Sequence, residues 1–165
     1  MHLKQLTHKE ALAIRTWPAY PSEYALLDYA LRKGGWLDLF PANDRNARYG
    51  IRQGRALLGF TMLVDMEHGA AEFYIAIHPD HLGAGVGGKA THLTLEEAFR
   101  VKRLDRVYLK VRVWHAKGIH LYAKHGFVPQ GEVDETANGE LVRFLKMEVK
   151  RADRLTQQGG ERKAP

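Results

Sequence analysis

The sequence predicts an α+β fold, with a central, mostly antiparallel mixed sheet of about six to seven strands flanked by helices on both faces. Three observations predict it. Strand-like segments outnumber helical ones, three of them follow one another across tight turns, and one amphipathic helix separates them from the later strands. The chain has 165 residues, 45% of them hydrophobic, which is enough for one core. We therefore expect a single domain over residues 1–150 and a basic, disordered tail over 151–165.

Helix signals dominate the N-terminal third of the chain, after a short first strand. Thr7 and Glu10 have the spacing of a capping box, in which each side chain satisfies the other residue's backbone amide. Pro18 cannot continue that helix, and the Gly34–Gly35 pair is typical of a helix end. The predicted elements here are a strand from Leu3 to Leu6, a helix from Thr7 to Trp17 and a helix from Ser22 to Gly34.

The remaining chain is predicted to supply most of the sheet. Residues 48–53 and 55–64 lie on either side of Gly54, as the strands of a hairpin do. Residues 69–77 are apolar at nearly every position, which indicates a strand buried on both faces. The further predicted elements are helices at 86–100 and 117–124, strands at 106–113 and 140–149, and a strand that starts at 127–128.

Composition and charge exclude several classes of function. The chain has no cysteine, so disulfides, cysteine–zinc sites and a covalent thioester on an enzyme thiol are excluded. The nine histidines lack metal-ligand spacing, so no metal site is expected. The net charge of +6 suits an anionic partner, but no nucleic-acid reader motif is present, so nucleic acid is unfavoured. No signal peptide or bilayer-spanning stretch is found, so we expect a cytoplasmic protein with no membrane partner.

A glycine-rich turn joins the strand that ends at Ile77 to the helix that begins near Val86. Glycine occupies four of the six positions from 83 to 88, more than a simple strand–helix turn needs. Successive amides at such a turn form an anion nest, and the following helix adds positive potential. Phosphate binding is therefore the predicted chemistry.

Three phosphate-binding motifs match this turn formally. The dinucleotide fingerprint G-x-G-x-x-G fits Gly83, Gly85 and Gly88, but the turn follows a meander and no acidic residue ends a second strand. The nucleotide-hydrolase loop G-x-x-x-x-G-K fits 83–89, but Ala90 stands where a magnesium-binding hydroxyl is required. The third motif is an aliphatic strand end followed by a Q/R-x-x-G-x-G/A loop that opens a helix, with Leu82 as its first residue.

In this third motif the chain resembles the GNAT superfamily of N-acetyltransferases. A second family element, N-x-x-A-x-x-x-Y-x-x-x-G-F, matches residues 115–127, with Tyr122 and the final Gly-Phe pair at the expected offsets. Three positions depart from the family pattern. Leu82 replaces glutamine or arginine, His115 replaces asparagine and Gly118 replaces alanine. The resemblance implies a GNAT-like version of the predicted α+β fold.

The resemblance also implies acetyl-CoA, or another acyl-CoA, as the donor. In the family, the strand before the loop splays from its neighbour and pairs with the pantetheine. The implied cofactor-binding positions are Ile75, Ile77, Leu82, Gly83, Ala84, Gly85, Val86, Gly87, Gly88, His115, Lys117 and Tyr122. The implied reaction is direct acyl transfer to a primary amine of a small molecule or peptide in a ternary complex, without a covalent enzyme intermediate.

Acyl transfer to an amine needs an acid for the departing thiolate and a base for the amine. The resemblance assigns the acid to Tyr122. Glu72 is the predicted base, because a carboxylate inside an apolar strand is either paired or faces the acceptor groove, and burial would raise its pKa. His78, His81 and His115 are the other titratable candidates.

The acceptor side is predicted to be aromatic. Tyr20, Tyr24 and Trp36 are the expected acceptor-binding residues, since aromatic faces suit an ammonium group. A homodimer is a further partner that the resemblance allows. Two other functions stay open: a non-catalytic acyl-CoA-binding module on the same fold, and a nucleotide-phosphate-binding protein that uses Gly83 to Lys89.

Overall fold

The computed structural model describes residues 1–154, and a seven-stranded sheet in the order β1-β2-β3-β4-β5-β7-β6 forms its centre. Neighbouring strands are antiparallel except for β4 and β5, which run parallel. The predicted α+β class and mixed sheet are therefore confirmed. The strands are β1 (His2–Gln5), β2 (Ala47–Gln53), β3 (Ala56–Glu67), β4 (Ala70–Ile77), β5 (Arg106–Arg112), β6 (Val128–Ala137) and β7 (Glu140–Lys150).

Helices cover both faces of this sheet. Two α-helices and a 3₁₀ segment lie on one face, and two α-helices lie on the other, so each face is shielded from water. The first group is α1 (His8–Ile14), the 3₁₀ segment (Ser22–Leu31) and α2 (Trp36–Leu39), and the second is α3 (Val86–Glu96) and α4 (Ala116–Lys124).

Strand alternation divides the apolar side chains between the two faces. On β3, Phe60 and Met62 pack with Ile14 of α1, whereas Leu63 packs with Leu95 of α3. All five side chains are fully buried. The strand β4 contributes to both cores, which explains why its sequence is apolar at nearly every position.

Three helix predictions require correction. The segment from Ser22 to Leu31 is a 3₁₀ helix and not an α-helix, and the non-helical backbone of Tyr24 interrupts it. The first helix ends at Ile14, since the amides of the next three residues bond to carbonyls three positions back and tighten the chain into a turn. The mid-chain helix is α-helical to Glu96 and finishes as a π-helical turn, Glu97–Val101.

The C-terminal prediction is corrected in part. Residues 151–154 form a helical turn, so the predicted disordered tail does not begin at 151. Arg154 is buried, donates to the His125 carbonyl at 3.1 Å and contacts His92 Nδ1 at 2.7 Å, which holds this turn against α3 and α4. The rest of the predicted tail, 155–165, lies outside the described residues. Within residues 1–154, no helix is long and apolar enough to cross a membrane.

Candidate active site

The parallel pair of strands at the centre of the sheet separates toward one end. β4 and β5 pair only where Ala70–Glu72 faces Arg106–Tyr108, so the second half of β4 has no partner on β5. The other edge of β4 stays paired with β3 as far as Ile77. The edge of β4 that carries Ile75 and Ile77 is therefore open for a ligand's hydrogen bonds.

A cleft of about 640 Å³ opens at this splay. The end of β4, the glycine turn with the start of α3, the start of α4 and the 3₁₀ segment all line it. Of the sequence-predicted site residues, Glu72, His78 and Ala84 do not line the cleft. Those that do are Tyr20, Tyr24, Trp36, Ile75, Ile77, His81, Leu82, Gly83, Gly85, Val86, Gly87, Gly88, His115, Lys117 and Tyr122.

The glycine turn has the geometry of an anion nest. Gly83 and Gly85 have φ values of +76° and +80°, which L side chains rarely adopt. Gly85 begins α3 without a side-chain cap, and the first amide to close a helical bond is that of Lys89. The amides of Val86, Gly87 and Gly88 therefore stay available, and they add to the positive end of the helix dipole.

Tyr122 reaches the cleft from α4. Its ring packs edge-on against Phe73 and Phe127, with centroids 6.3 and 5.9 Å away, so its position is determined by the core. Burial raises the pKa of Tyr122 to about 12. The hydroxyl is therefore protonated at neutral pH, which is the form that can donate a proton.

His115, just before α4, lines the cleft beside Tyr24, whose ring lies 5.6 Å away in an edge-on arrangement. Burial, and then the charge of Lys117, lower the pKa of His115, so the imidazole is neutral at neutral pH. A Cβ on Gly118 would stand 2.6 Å from the His115 Cδ2. The two departures at 115 and 118 are thus linked, because glycine leaves the room that the larger imidazole needs.

Glu72 does not line the cleft. Its carboxylate forms an ion pair with the Lys110 Nζ at 3.2 Å and accepts a hydrogen bond from the Tyr74 hydroxyl at 2.9 Å. Burial raises the pKa of Glu72, while Lys110 and Tyr74 oppose that rise. Its role as the base stays a prediction, and from this position it requires an intermediary such as Tyr74, which contacts the cleft residue Trp36.

The other titratable candidates differ in position. His81 lines the cleft, whereas His78 stacks on Trp17 at 4.6 Å and its Nδ1 accepts a hydrogen bond from the Asp80 amide. His78 therefore helps to form the turn after β4. Within residues 1–154, no three histidine, aspartate or glutamate side chains are grouped closely enough to hold a metal ion.

The aromatic wall is tied to β4 by a hydrogen bond. The Tyr20 hydroxyl donates to the Ile77 carbonyl at 2.7 Å, so it is already engaged and only the ring is presented to the cleft. The Tyr20 amide donates to Asp28. Arg32 in turn bonds both Asp28 oxygens and the carbonyls of three residues between 15 and 18. This network holds the aromatic loop and the 3₁₀ segment together.

Sequence reasoning missed one charged residue of the cleft wall. Glu23 lies in the first turn of the 3₁₀ segment and is the one carboxylate among the described residues that line the cleft. Its only sequence signal is its place beside Tyr24, inside the predicted aromatic region. The cleft therefore has an anion-binding end at α3 and a wall of aromatic rings with one negative charge.

The acetyltransferase (GNAT) family model matches residues 10–127. The chain belongs to the GNAT family. The matched region includes the splayed strand, the glycine turn, Tyr122 and the 3₁₀ segment, all of which line the cleft just described.

Two curated relatives are spermidine N(1)-acetyltransferases. The Vibrio cholerae protein is 36% identical over 81 residues, which is 48% of this chain and 47% of that protein. The Escherichia coli protein is 38% identical over 93 residues, or 54% of this chain and 50% of that protein. The matches thus span about half the length of these curated relatives.

Solved structures of spermidine N-acetyltransferase variants share the fold of this protein over nearly the whole chain. A chimera of Vibrio cholerae spermidine N-acetyltransferase and hSSAT has a TM-score of 0.76 at 24% identity, covering 94% of this chain and 99% of that one. A point mutant of the Vibrio cholerae enzyme has a TM-score of 0.75 at 25% identity, covering 96% and 99%. These comparisons confirm the GNAT-like fold.

Acetyl-CoA is the acyl donor of GNAT acetyltransferases, and the residues present fit it. The edge of β4 at Ile75 and Ile77 has no neighbouring strand, and apart from the Ile77 carbonyl, which Tyr20 occupies, it suits the amides of a pantetheine arm. The unpaired amides at 86–88 suit a pyrophosphate, and Lys117 adds a cation to the same cleft. Leu82 adds no polar side chain, so recognition at that position rests on the backbone.

Proposed function

We propose that this GNAT protein is an N-acetyltransferase that transfers the acetyl group of acetyl-CoA to a primary amine of a short polyamine such as spermidine. One observation carries the proposal: a single cleft joins the open strand edge and the anion nest to an aromatic wall that includes Glu23. The names of the curated relatives support a polyamine acceptor.

The acceptor half of the cleft suits a flexible cation. Tyr24 and Trp36 offer ring faces to ammonium groups, and Glu23 offers a carboxylate that a distal ammonium can pair with. A polyamine has a second ammonium that can pair with Glu23 while the first lies against the rings, whereas a simple monoamine has only one. We therefore assign Glu23 to the amine that is not acetylated.

Proton movement is assigned to two side chains of the cleft. The thioester of acetyl-CoA supplies the activated acyl group. Tyr122 holds a proton at its hydroxyl for the departing sulfur, and its raised pKa of about 12 keeps that proton in place until transfer. His115 is the neutral titratable group beside Tyr24, so we propose that its imidazole takes the amine proton; Glu72, the base predicted from sequence, would assist indirectly through Tyr74.

The test is a panel of amines incubated with acetyl-CoA, with free thiol as the rate signal and product mass as the identity. We expect spermidine to be acetylated once and with a higher kcat/KM than an alkyl monoamine or a peptide N-terminus. Tyr122→Phe should lower kcat by about 10²-fold or more while acetyl-CoA still raises the melting temperature. Acetyl-CoA that fails to raise the melting temperature of the unmodified protein would refute the proposal.

Glu23 provides the acceptor-specific test. Glu23→Gln should raise KM for spermidine by about tenfold and leave KM for a monoamine unchanged, since one charge-assisted contact is lost. Glu132→Gln, at an exposed position of β6 outside the cleft, is the matched control. Equal effects on both amines would show that Glu23 does not read the second ammonium. A cytoplasmic location, where acetyl-CoA and polyamines meet, and a homodimer remain part of the proposal.

A further inference from the structure

Arg112, at the end of β5, is a buried cation that has no hydrogen bond or ion pair to its guanidinium among residues 1–154. It is 8% exposed, and its guanidinium lies over two aromatic rings: Tyr29 at 6.0 Å and Phe144 at 5.8 Å. Ring faces attract a cation but do not satisfy the five N–H donors of a guanidinium. No Arg112 nitrogen is among the fully buried polar atoms that lack a partner, so these donors reach the neighbouring cavity, where they are free to bind an acceptor.

A second cavity lies where those donors are. Its volume is about 420 Å³, and Arg112 lines it together with the back of the 3₁₀ segment and the turn between β6 and β7. Five charged residues line it: Asp28, Arg32, Lys33, Arg112 and Glu140.

The balance of these charges is positive. Asp28 and Arg32 neutralise each other, because two guanidinium nitrogens of Arg32 donate to the two Asp28 oxygens at 2.8 Å. Lys33 and Arg112 then stand against Glu140 alone. Lys33 lines the cavity and is exposed, so its ammonium lies near the rim. A polyamine would meet two cations here, whereas an anion would meet a fork of donors.

We propose that this cavity binds a small oxyanion, a carboxylate or a phosphate, with the Arg112 guanidinium as its bidentate donor and Lys33 as its second cation. Planar guanidinium groups match the paired oxygens of carboxylate and phosphate, and two flanking rings hold the plane of the fork. The site is separate from the acetyl-CoA cleft, and its existence does not depend on the proposed acetyl transfer.

The cavity and the cleft share one wall. The 3₁₀ segment presents Tyr24 and Leu27 to the cleft and Asp28 and Tyr29 to the cavity, and Tyr29 packs edge-on against the cleft residue Trp36 at 6.4 Å. An anion on Arg112 would therefore order the segment that forms the acceptor wall. The expected consequence, a lower KM for the amine, rests on the proposed function; binding of the anion does not.

The experiment measures anion binding in a Gly85→Glu background, so that phosphate cannot respond through the glycine turn. Melting temperature and calorimetric titration are recorded with sodium phosphate, sodium malonate and sodium chloride at equal ionic strength. We expect phosphate, malonate or both to stabilise the protein beyond chloride. A response to phosphate alone assigns a phosphoryl ligand, and a response to malonate alone assigns a carboxylate. Equal responses to all three salts would overturn the proposal.

Three variants test the assignment. Arg112→Gln should weaken the responding anion by about tenfold or more, and Lys33→Glu, an exposed change that folding should tolerate, should abolish the response. Arg55→Gln, on the exposed β2–β3 turn and outside both cavities, should leave it unchanged. Unaltered binding by Lys33→Glu would overturn the site even if Arg112→Gln does not fold. Loss of stability in Glu140→Gln equal to that in Arg112→Gln would also overturn it, because Glu140 would then be the partner of Arg112.

Discussion

The substitution Lys110→Met removes the cationic partner of the buried Glu72 carboxylate, and the resulting loss of folding stability can be calculated. The side chain of Glu72 is 8% exposed, and Lys110 Nζ, 3.2 Å away, is its cationic partner. Burial lowers the pKa of Lys110, but hydrogen bonds to Glu135 and Glu72 and their charges outweigh it and raise that pKa, so Lys110 is charged at neutral pH. Without the lysine, desolvation disfavours the charged carboxylate, so Glu72 binds a proton in the folded state.

The expected loss of stability depends on pH with a definite sign. The folded pKa of Glu72 lies above its ordinary value of 4.5, so the folded state binds more protons and stability falls as pH rises through that range. Keeping the carboxyl neutral at pH 7.5 costs about 4 kcal/mol at 1.36 kcal/mol per unit, but under about 1 kcal/mol at pH 5. At about 2 to 4 °C per kcal/mol, the melting temperature should fall by roughly 8 to 16 °C at pH 7.5 and by less than about 4 °C at pH 5.

Calorimetric melting at both pH values provides the assay, with two companion variants. Glu135→Gln removes only the exposed partner of Lys110 and should cost under about 1 kcal/mol. Adding Glu72→Gln to Lys110→Met should recover most of the loss, because no buried charge remains. A Lys110→Met loss that is equally large at pH 5, or that Glu72→Gln does not relieve, would refute the electrostatic explanation.

Four further outcomes are expected. Gly85→Glu should abolish the stabilisation by acetyl-CoA, since a carboxylate would occupy the anion nest at a backbone with φ of +80°; retained stabilisation would exclude the turn as the phosphate site. Gly118→Ala should weaken acetyl-CoA binding several-fold by displacing the His115 ring, and adding His115→Asn to that variant should restore binding. Unchanged binding in Gly118→Ala, or no recovery in the double variant, would argue against the link between positions 115 and 118. His115→Gln should remove the fall of kcat/KM at low pH, which the lowered pKa of His115 sets below 6.5, whereas Glu72→Gln should keep that fall; the reverse would make Glu72 the base. Thr7→Ala should cost about 1 kcal/mol in urea unfolding by removing the capping box of α1, and an unchanged midpoint would show that the cap contributes nothing.

The donor half of the site could be predicted from the sequence because its chemistry is local. An anion nest needs only glycines that accept positive φ and a helix that starts immediately afterwards. The consecutive residues from Gly83 to Lys89 supply both. The capping box at Thr7 and Glu10 was predictable for the same reason, since its partners are three residues apart.

The 3₁₀ segment shows where local pattern was insufficient. Its apolar spacing predicts an α-helix, but the conformation is set by contacts made elsewhere. Arg32 bonds carbonyls near residue 16, and the loop it holds is anchored by Tyr20 to the end of β4. Intrinsic helix preference is worth a fraction of a kcal/mol per residue, so a network of this kind overrides it.

What the sequence by itself determined is the fold class, the succession of strands and helices along the chain and the glycine-rich turn. The tertiary structure alone decided the partners of the buried charges. Glu72 meets Lys110 because β4 and β5 pair in parallel at Ala70–Glu72. Within residues 1–154, Arg112 has no acceptor, because β5 ends beside the 3₁₀ segment and two aromatic rings. Sheet register and strand order bring together residues that are dozens of positions apart, and no periodicity within either segment records which neighbour it will meet.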